Sequence, residues 1–453
     1  MRLMTEEQKQ VRWQILTFLI PILISSILEM LVGIVSMKLI GDLGSESISA
    51  MGLSTRVRGI IWAVYKGIAI GVQVVVAQAY GANNPDRIKR ALSQTTGSIF
   101  LVSMLFLSSM LIVPQFWLGT LFGAQGSLLE TGIQVLRVVG CGMPFLGIVL
   151  IISGGLQGKG DAKTPMMISG LMNILNALFG AILVYGLFGL PKMGLMGAAY
   201  GLALSQFVAA MFALHLALRK SGILSGVKIK SFFKFSKDIM TSVYNTGVPS
   251  AIESLFWQLS SILLIRAILT YGEDPYAAYQ LGLQAESVAY MPAAGFQVAA
   301  TAFVGRYLGA KQPEMAKRYL KEILLGAILI SMLGGGMLVA FPRLLLGFMT
   351  PDAKLIEIGS FYLLVCGLAQ VPQNIAGVLG GALRGAGYTK MPMYAAFVGL
   401  YMVRVPIALT AAYLFSWSVN VIFLAIGIDM SVRLILNGFL YFKTNIYKRP
   451  KIV

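Results

Sequence analysis

Long runs of apolar residues are the feature that most constrains this chain. They recur along all 453 residues and are separated only by short polar segments. A helix needs about 20 apolar residues to cross the hydrocarbon core of a bilayer. Charged residues make up only 12% of the chain, whereas soluble domains carry about 25%. We therefore expect the whole chain to be a helical, multi-pass membrane protein.

Twelve runs are long enough to span the membrane. We place them near 13–40, 47–79, 91–114, 127–155, 163–189, 195–218, 238–270, 277–308, 319–341, 354–383, 391–415 and 419–442. Six prolines fall well inside these spans, away from their ends, namely Pro21, Pro144, Pro249, Pro292, Pro372 and Pro406. A proline inside a span can break the helix and free backbone groups to line a cavity.

The basic residues divide into two sets according to the side of the membrane. With the N-terminus in the cytoplasm, twenty-five Lys and Arg residues fall in inside segments, and only Lys192, Arg343 and Lys354 fall outside. Cytoplasmic loops carry this excess of positive charge. We therefore expect a protein of the cytoplasmic (inner or plasma) membrane with both termini in the cytoplasm. Since the net charge of +18 resides in these loops, we expect no nucleic-acid partner.

The chain is internally duplicated. VAQAYGANNPDRIKRAL (76–92) aligns with VGRYLGAKQPEMAKRYL (304–320) at an offset of 228, and LQGKGDAKTP (156–165) aligns with LRGAGYTKMP (383–392) at an offset of 227. A near-constant offset indicates two units of six spans that enter the membrane in the same direction. The fold is therefore predicted to be all-α, with twelve transmembrane helices in two six-helix lobes related by a pseudo-twofold axis along the membrane normal.

The predicted domains follow from this duplication. They are an N-lobe over 1–222, a basic cytoplasmic linker over 223–237 and a C-lobe over 238–453. The linker is expected to lie as an amphipathic helix on the inner leaflet, where anionic lipids attract lysine. The phrases at 156–165 and 383–392 are interpreted as cytoplasmic turns, because they lack the GxxxxGK[ST] spacing of a phosphate loop.

An ordered set of motifs resembles the multidrug and toxic compound extrusion (MATE) family. The motifs are GAKQPEMAKR (309–318), the two L(R/Q)GxGxxKxP phrases, VPSAIES (248–254) and QAESVAYMPAAGF (284–296), and the resemblance covers the whole chain. It implies a secondary exporter whose lobes alternate access to a central cavity. It also implies export of a small molecule in exchange for H⁺ or Na⁺, without another cofactor, and we expect a monomer in the bilayer.

Ionisable residues at membrane depth are costly, so each is a candidate functional residue. Glu29 lies on span 1 and shares one helical stripe with Ser25, Gly33 and Ser36. A carboxylate in this position could bind and release a proton. The alternative is a structural partner for an arginine of span 2.

The resemblance assigns the ion site of the N-lobe only in part. Many family members carry an Asp on span 1 where this chain has Ser36, while the Asn often found on span 5 corresponds to Asn176. We consider Na⁺ near Ser36 and Asn176 and assign no firm metal ligands, and Glu29 could substitute for the absent Asp. In the C-lobe, Glu253 follows Pro249 by four residues, a placement seen in many bacterial members.

Glu286 is the leading candidate among the acidic residues. Tyr279 and Tyr290 share its face of span 8, and a carboxylate beside aromatic rings suits a lipophilic cation. The alternative is an ion pair with Arg404 on span 11, which protonation of Glu286 would break. On span 12, the i, i+4 spacing of Asp429 and Arg433 predicts an intrahelical ion pair.

These residues lead to one main hypothesis and one alternative. The main hypothesis is an efflux antiporter that exports lipophilic, cationic small molecules. The alternative is a flippase or exporter of an anionic lipid-linked or metabolite substrate, because Arg56 and Arg58 place positive charge on span 2. Another interpretation of the two arginines is that they reach the outer interface. The chain has no HExxH motif and no Walker loop, and we expect it not to be an enzyme.

Overall fold

The computed structural model describes residues 6–41, 45–415, 417–448 and 450. In that part of the chain, twelve helices are long and apolar enough to cross a membrane. This confirms the twelve predicted spans and the all-α fold. Three of the twenty-five basic residues predicted to lie in inside segments are outside the described residues, namely Arg2, Arg449 and Lys451.

The twelve spans are numbered in chain order. In the first half they are α1 (Glu6–Gly41), α2 (Ser45–Gly81), α3 (Pro85–Ile112), α4 (Gly126–Lys159), α5 (Lys163–Tyr185) and α6 (Leu195–Leu218). In the second half they are α7 (Lys237–Leu269), α8 (Glu273–Gly309), α9 (Pro313–Ala340), α10 (Ala353–Gly385), α11 (Lys390–Leu414) and α12 (Val419–Thr444). A short helix, Pro342–Gly347, precedes α10.

Helices α3 and α9 begin earlier than their apolar runs predict. Each starts at a proline, Pro85 or Pro313, and continues through a charged first turn. Proline suits the first helical position because its missing N–H would be unpaired there in any case. The side chain of Asn84 also accepts a hydrogen bond from the Arg87 amide at 3.0 Å, which caps the start of α3.

The prolines within spans have different effects on the backbone. Five of the six lie inside continuous α-helices. Around Pro406, by contrast, α11 contains two π-helical segments, Val398–Arg404 and Thr410–Leu414. Such segments are rare and occur frequently at functional sites. The first of them ends at Arg404, one of the predicted site residues.

The basic linker is not the regular amphipathic helix that we predicted. Its helical part is a single 3₁₀ turn, Ile229–Phe233. Gly226 has a φ of 78° just before this turn, and this backbone conformation is unfavourable for a continuing helix. The Phe232 side chain is buried, while Ile229 and Phe233 are exposed.

The chain divides into two compact units. The N unit contains Ile20–Ala79 and Asn84–Ala251, and the C unit contains Met1–Leu19, Tyr80–Asn83 and Ile252–Val453. Helices α1, α2 and α7 therefore contribute residues to both units. The predicted domain limits at 222 and 238 stay predictions.

Small residues bring α2 close to the first turns of α7 within the N unit. A Cβ atom on Gly67 would lie 2.2 Å from the Ala251 Cα, and one on Gly71 would lie 2.8 Å from the Gly247 Cα. Small residues at four-residue spacing allow membrane helices to approach this closely. This packing holds α2, which carries Arg56, Arg58 and Trp62 to the wall of a cavity.

Candidate functional site

The N unit contains a cavity of about 790 Å³. Its walls come from α1, α2, α4, α5 and α6, and they include apolar residues such as Pro21, Leu146 and Met166. Cavities that bind small molecules usually measure about 300–1,000 Å³ and are mostly apolar, with a few polar groups that orient the ligand. The cavity is therefore large enough for a drug-sized molecule.

Two polar stripes, of which the sequence analysis identified the one on α1, line this cavity. They are Ser25, Glu29, Gly33 and Ser36 of α1, and Ser169, Asn173, Asn176 and Gly180 of α5. The hydroxyl groups of Ser25 and Ser169 lie 2.6 Å apart and join the two helices. The structure therefore brings Glu29, Ser36 and Asn176 to one cavity, although they are up to 147 positions apart in the sequence.

This arrangement does not identify ligands for the Na⁺ ion considered near Ser36 and Asn176. Over the described ranges, no group of three or more His, Cys, Asp or Glu residues could hold a metal ion. A Na⁺ ion near Ser36 and Asn176 would depend on hydroxyl, amide and backbone oxygens. That site stays a prediction.

The cavity contains more positive than negative charge. In the part of the chain that the structure describes, its charged lining residues are Glu29, Arg56 and Arg58. The charges of Glu29 and Arg58 interact, but neither residue forms an ion pair within the described part of the chain. The Arg58 Nε is buried and has no hydrogen-bond partner there. The predicted alternative, in which Glu29 is a structural partner of an arginine of span 2, stays a prediction, because the two charges interact without direct contact.

Glu286 lies in the C unit and is buried, with 7% of its surface exposed. The Tyr362 hydroxyl of α10 donates a hydrogen bond to Glu286 Oε2, and Gln370 Nε2 donates to Oε1 at 3.4 Å. Tyr279 packs edge-on against Tyr362 at 5.4 Å between ring centroids. Tyr290, one turn beyond Glu286, is partly exposed.

Glu286 and Arg404 are not in direct contact among the described residues, although their charges interact, and their predicted partnership stays a prediction. Arg404 instead pairs with Asp429, whose Oδ2 lies 2.7 Å from an Arg404 terminal nitrogen, without hydrogen-bond alignment. The predicted Asp429–Arg433 ion pair is confirmed, with contacts of 2.9 and 3.0 Å. The Trp257 ring packs against both guanidinium groups, at 5.1 Å from Arg404 and 4.3 Å from Arg433.

The buried ion pairs of this part of the C unit share one carboxylate. Asp429 supplies one negative charge, and Arg404 and Arg433 supply two positive charges. Buried charges are costly unless they are paired and hydrogen-bonded. An ionised Glu286 would bring the charges of this region into balance.

Sequence reasoning missed the partner of Glu253. Arg384 is only 4% exposed and donates to both oxygens of the Glu253 carboxylate, at 3.0 and 3.3 Å. The side-chain amide of Gln297 packs beside it, and with its oxygen facing Arg384 it accepts from both terminal nitrogens at 3.0 Å. We had counted Arg384 among the charges of a cytoplasmic turn, but it is a buried ion-pair residue.

The internal repeat contained a signal for this pair. Arg384 aligns with Gln157 at offset 227, and Gln157 lines the N-unit cavity. Glu253 aligns with Ser25 at offset 228, and Ser25 lines the same cavity. Repeat-equivalent positions therefore carry polar residues of the site in one unit and an ion pair in the other.

Comparisons with known proteins agree with this architecture. The family model MatE matches residues 21–182 and again residues 249–410, so that the second match begins and ends 228 residues after the first. A probable multidrug resistance protein NorM of Thermotoga maritima is 28% identical over 89% of this chain and 86% of the relative. The probable multidrug resistance protein YoeA of Bacillus subtilis is 24% identical over 87% of this chain and 86% of the relative.

A solved structure shows the same fold. The crystal structure of MATE in complex with MaL6 superposes with a TM-score of 0.88 at 21% identity, over 98% of this chain and 99% of that chain. The twelve spans and the duplicated match agree with this likeness. The chain belongs to the MatE family and is a multi-pass membrane transporter of the multidrug and toxic compound extrusion type.

Proposed function

We propose that this protein is a secondary antiporter that exports lipophilic, cationic small molecules in exchange for H⁺ or Na⁺ by alternating access. In this proposal it lies in the cytoplasmic membrane as a monomer with both termini in the cytoplasm. The positive charge of the predicted inside loops supports that orientation. Two of its relatives are named probable multidrug resistance proteins.

One observation carries the proposal, namely that Glu29 lines a drug-sized cavity in a chain of this family. Antiport results when the ion and the substrate compete for the same group. A carboxylate in a cavity meets this requirement, because a proton, a sodium ion or an organic cation can each neutralise it. Ser36 and Asn176 line the same cavity and could supply oxygen ligands to Na⁺.

The energy available to such an exchange is sufficient. Moving one charge across the membrane is worth about 2.3 kcal/mol per 100 mV, and a tenfold concentration ratio is worth about 1.4 kcal/mol. Two inward-moving cations would therefore drive one monovalent cation outward against a large gradient.

The proposal predicts a specific loss in transport when Glu29 is neutralised. In inverted membrane vesicles, uptake of a cationic dye such as ethidium should follow an imposed pH or Na⁺ gradient. Glu29→Gln should abolish the gradient dependence, because the side chain can no longer exchange a cation. Glu130→Gln is the matched control, since Glu130 is an exposed acid of the same unit that does not line the cavity.

Two results would contradict the proposal. One is a broad panel of cationic dyes of which none moves under either gradient. The other is coupled dye transport that Glu29→Gln and Glu130→Gln reduce to the same extent, which would mean that Glu29 has no special part in coupling.

A further inference from the structure

We propose that Arg58, with Arg56 on the same helix, forms a subsite in the N-unit cavity for an anionic oxygen group, a carboxylate or a phosphate, of the transported molecule. This inference rests on the proposed function in one respect: it takes the cavity to be the place where the substrate binds. It adds one requirement to the cation-binding role of Glu29: the transported cation also carries an anionic oxygen group, so that the molecule is zwitterionic.

The first support is the state of the Arg58 guanidinium group. Arg58 is partly buried, it lines the cavity, and its Nε is buried without a hydrogen-bond partner in the described part of the chain. A charged group withdrawn from water without a partner is costly. The other arginines buried at membrane depth, Arg404 and Arg433, each have a carboxylate partner. Arg58 therefore has the donors of a binding group and lacks the acceptor.

The second support is the charge of the cavity. Among the described residues its charged lining groups are two arginines and one glutamate, so that one positive charge of this set remains even if Glu29 is ionised. Glu29 lies on α1, across the cavity from α2, and it does not form an ion pair with either arginine in the described ranges. A ligand with a negative group would supply the missing charge.

The third support is the type of donor. A guanidinium group presents planar N–H donors that match the oxygens of a carboxylate or phosphate in pairs. Trp62 follows Arg58 by one helical turn and lines the same cavity. A planar aromatic ring that carries the anionic group could therefore pack on Trp62 while its oxygens reach Arg58.

The charge of Glu29 should affect ligand binding at this subsite in a definite direction. An ionised Glu29 competes with a bound anion for Arg58, and it attracts a bound cation. Neutralising Glu29, by a proton or by Glu29→Gln, should therefore strengthen the binding of an anion and weaken that of a cation.

The experiment measures binding, separately from transport, to the full chain in lipid nanodiscs by calorimetry. The probes are 1-naphthoate, 1-naphthyl phosphate, the neutral 1-naphthamide and the cationic 1-naphthylmethylammonium. We expect Arg58→Gln to weaken the binding of at least one anionic probe about tenfold or more and to leave 1-naphthamide unchanged. Arg58→Lys should retain part of the affinity, because it keeps the charge and loses the paired donors.

The matched control is Arg137→Gln, since Arg137 is an exposed arginine of the same unit that does not line the cavity. It should leave the binding of all four probes unchanged. Glu29→Gln should raise the affinity for the anionic probes and lower that for the cationic probe. The comparison of naphthoate with naphthyl phosphate shows which anionic group fits the subsite.

The inference is overturned if neither anionic probe binds, or if Arg58→Gln and Arg137→Gln have the same effect on anion binding. Gradient-driven dye transport in the absence of anion binding would refute the subsite and leave the proposed function standing. Arg58-dependent anion binding without any gradient-driven transport would refute the proposed function and leave the subsite standing.

Discussion

Asp429 is held between two guanidinium groups on neighbouring helices. Its side chain is fully buried and contacts Arg433 of the same helix and Arg404 at the end of a π-helical segment of α11. A Cβ atom on Gly399 would lie 2.1 Å from Asp429 Oδ1, so that only glycine allows α11 to pass this close. A buried ionic cluster adds little net stability, but the removal of one member leaves uncompensated charges.

We therefore expect Asp429→Asn to destabilise the protein by about 3–5 kcal/mol, which is the usual cost of breaking a buried ion pair. The matched control is Asp274→Asn, which removes an exposed pair with Lys354. Exposed pairs contribute about 0–1 kcal/mol. The two variants are compared by thermal unfolding of the purified protein, monitored by size-exclusion chromatography with fluorescence detection. A similar melting temperature for both variants would contradict the assigned role of Asp429.

Individual residues also show where sequence reasoning was sufficient. Glu29, Glu253 and Glu286 were identified because an acid within an apolar run is costly wherever it points. Asp429 and Arg433 were paired because their spacing is local. Contacts between residues on distant helices could not be predicted from the sequence in this way. Tyr362 donates to Glu286 across 76 positions and Arg384 binds Glu253 across 131 positions, and only the packing of the helices decides such contacts.

At the scale of helices, the close contact between α2 and α7 supports the cavity. Gly67 and Gly71 of α2 face Gly247 and Ala251 of α7. Because no side chains separate the backbones, dispersion contacts join the helices along this seam. Arg58 and Trp62 lie nearer the N-terminal end of α2, and their position depends on this contact.

Replacing Gly67 by alanine should therefore destabilise the N unit. The new Cβ would meet the Ala251 backbone at 2.2 Å, and overpacking of this kind costs about 1–3 kcal/mol. The control is Gly438→Ala in α12, where a Cβ meets nothing within 4 Å and alanine improves helix propensity.

The measurement is the melting temperature of both variants in the same detergent. Gly67→Ala should lower it and Gly438→Ala should leave it unchanged or raise it slightly. If Gly67→Ala is as stable as the wild type, then α2 and α7 are not in backbone contact at this position.

Helix boundaries and irregularities were less accessible from the sequence than the number of helices. Hydropathy places α3 six residues late, because the first turn from Pro85 is polar. It also gives no indication of the π-helical segments around Pro406, since their extra residue per turn changes hydrogen bonding and leaves composition unaltered. The linker also differs from the amphipathic helix that was predicted for it.

At the scale of the whole molecule, duplication fixed the architecture and left the chemistry free to diverge. The repeated offset predicted two units of six spans, and the family model matches the chain twice with the same spacing. At offset 228, Arg58 corresponds to Glu286 and Glu29 corresponds to Trp257. The two halves thus have corresponding helices that carry different charged residues. For this reason the repeat predicted the fold but could not assign the functional site.

The central claim is that the N-unit cavity exchanges a cation for a substrate at Glu29. The most direct test uses proteoliposomes without an imposed ion gradient and measures whether an outward gradient of a transported dye drives H⁺ or Na⁺ in the opposite direction. The account predicts ion movement opposite to the dye, absent in Glu29→Gln and retained in Glu130→Gln. Dye movement without any counter-movement of H⁺ or Na⁺, or ion movement that persists in Glu29→Gln, would contradict it.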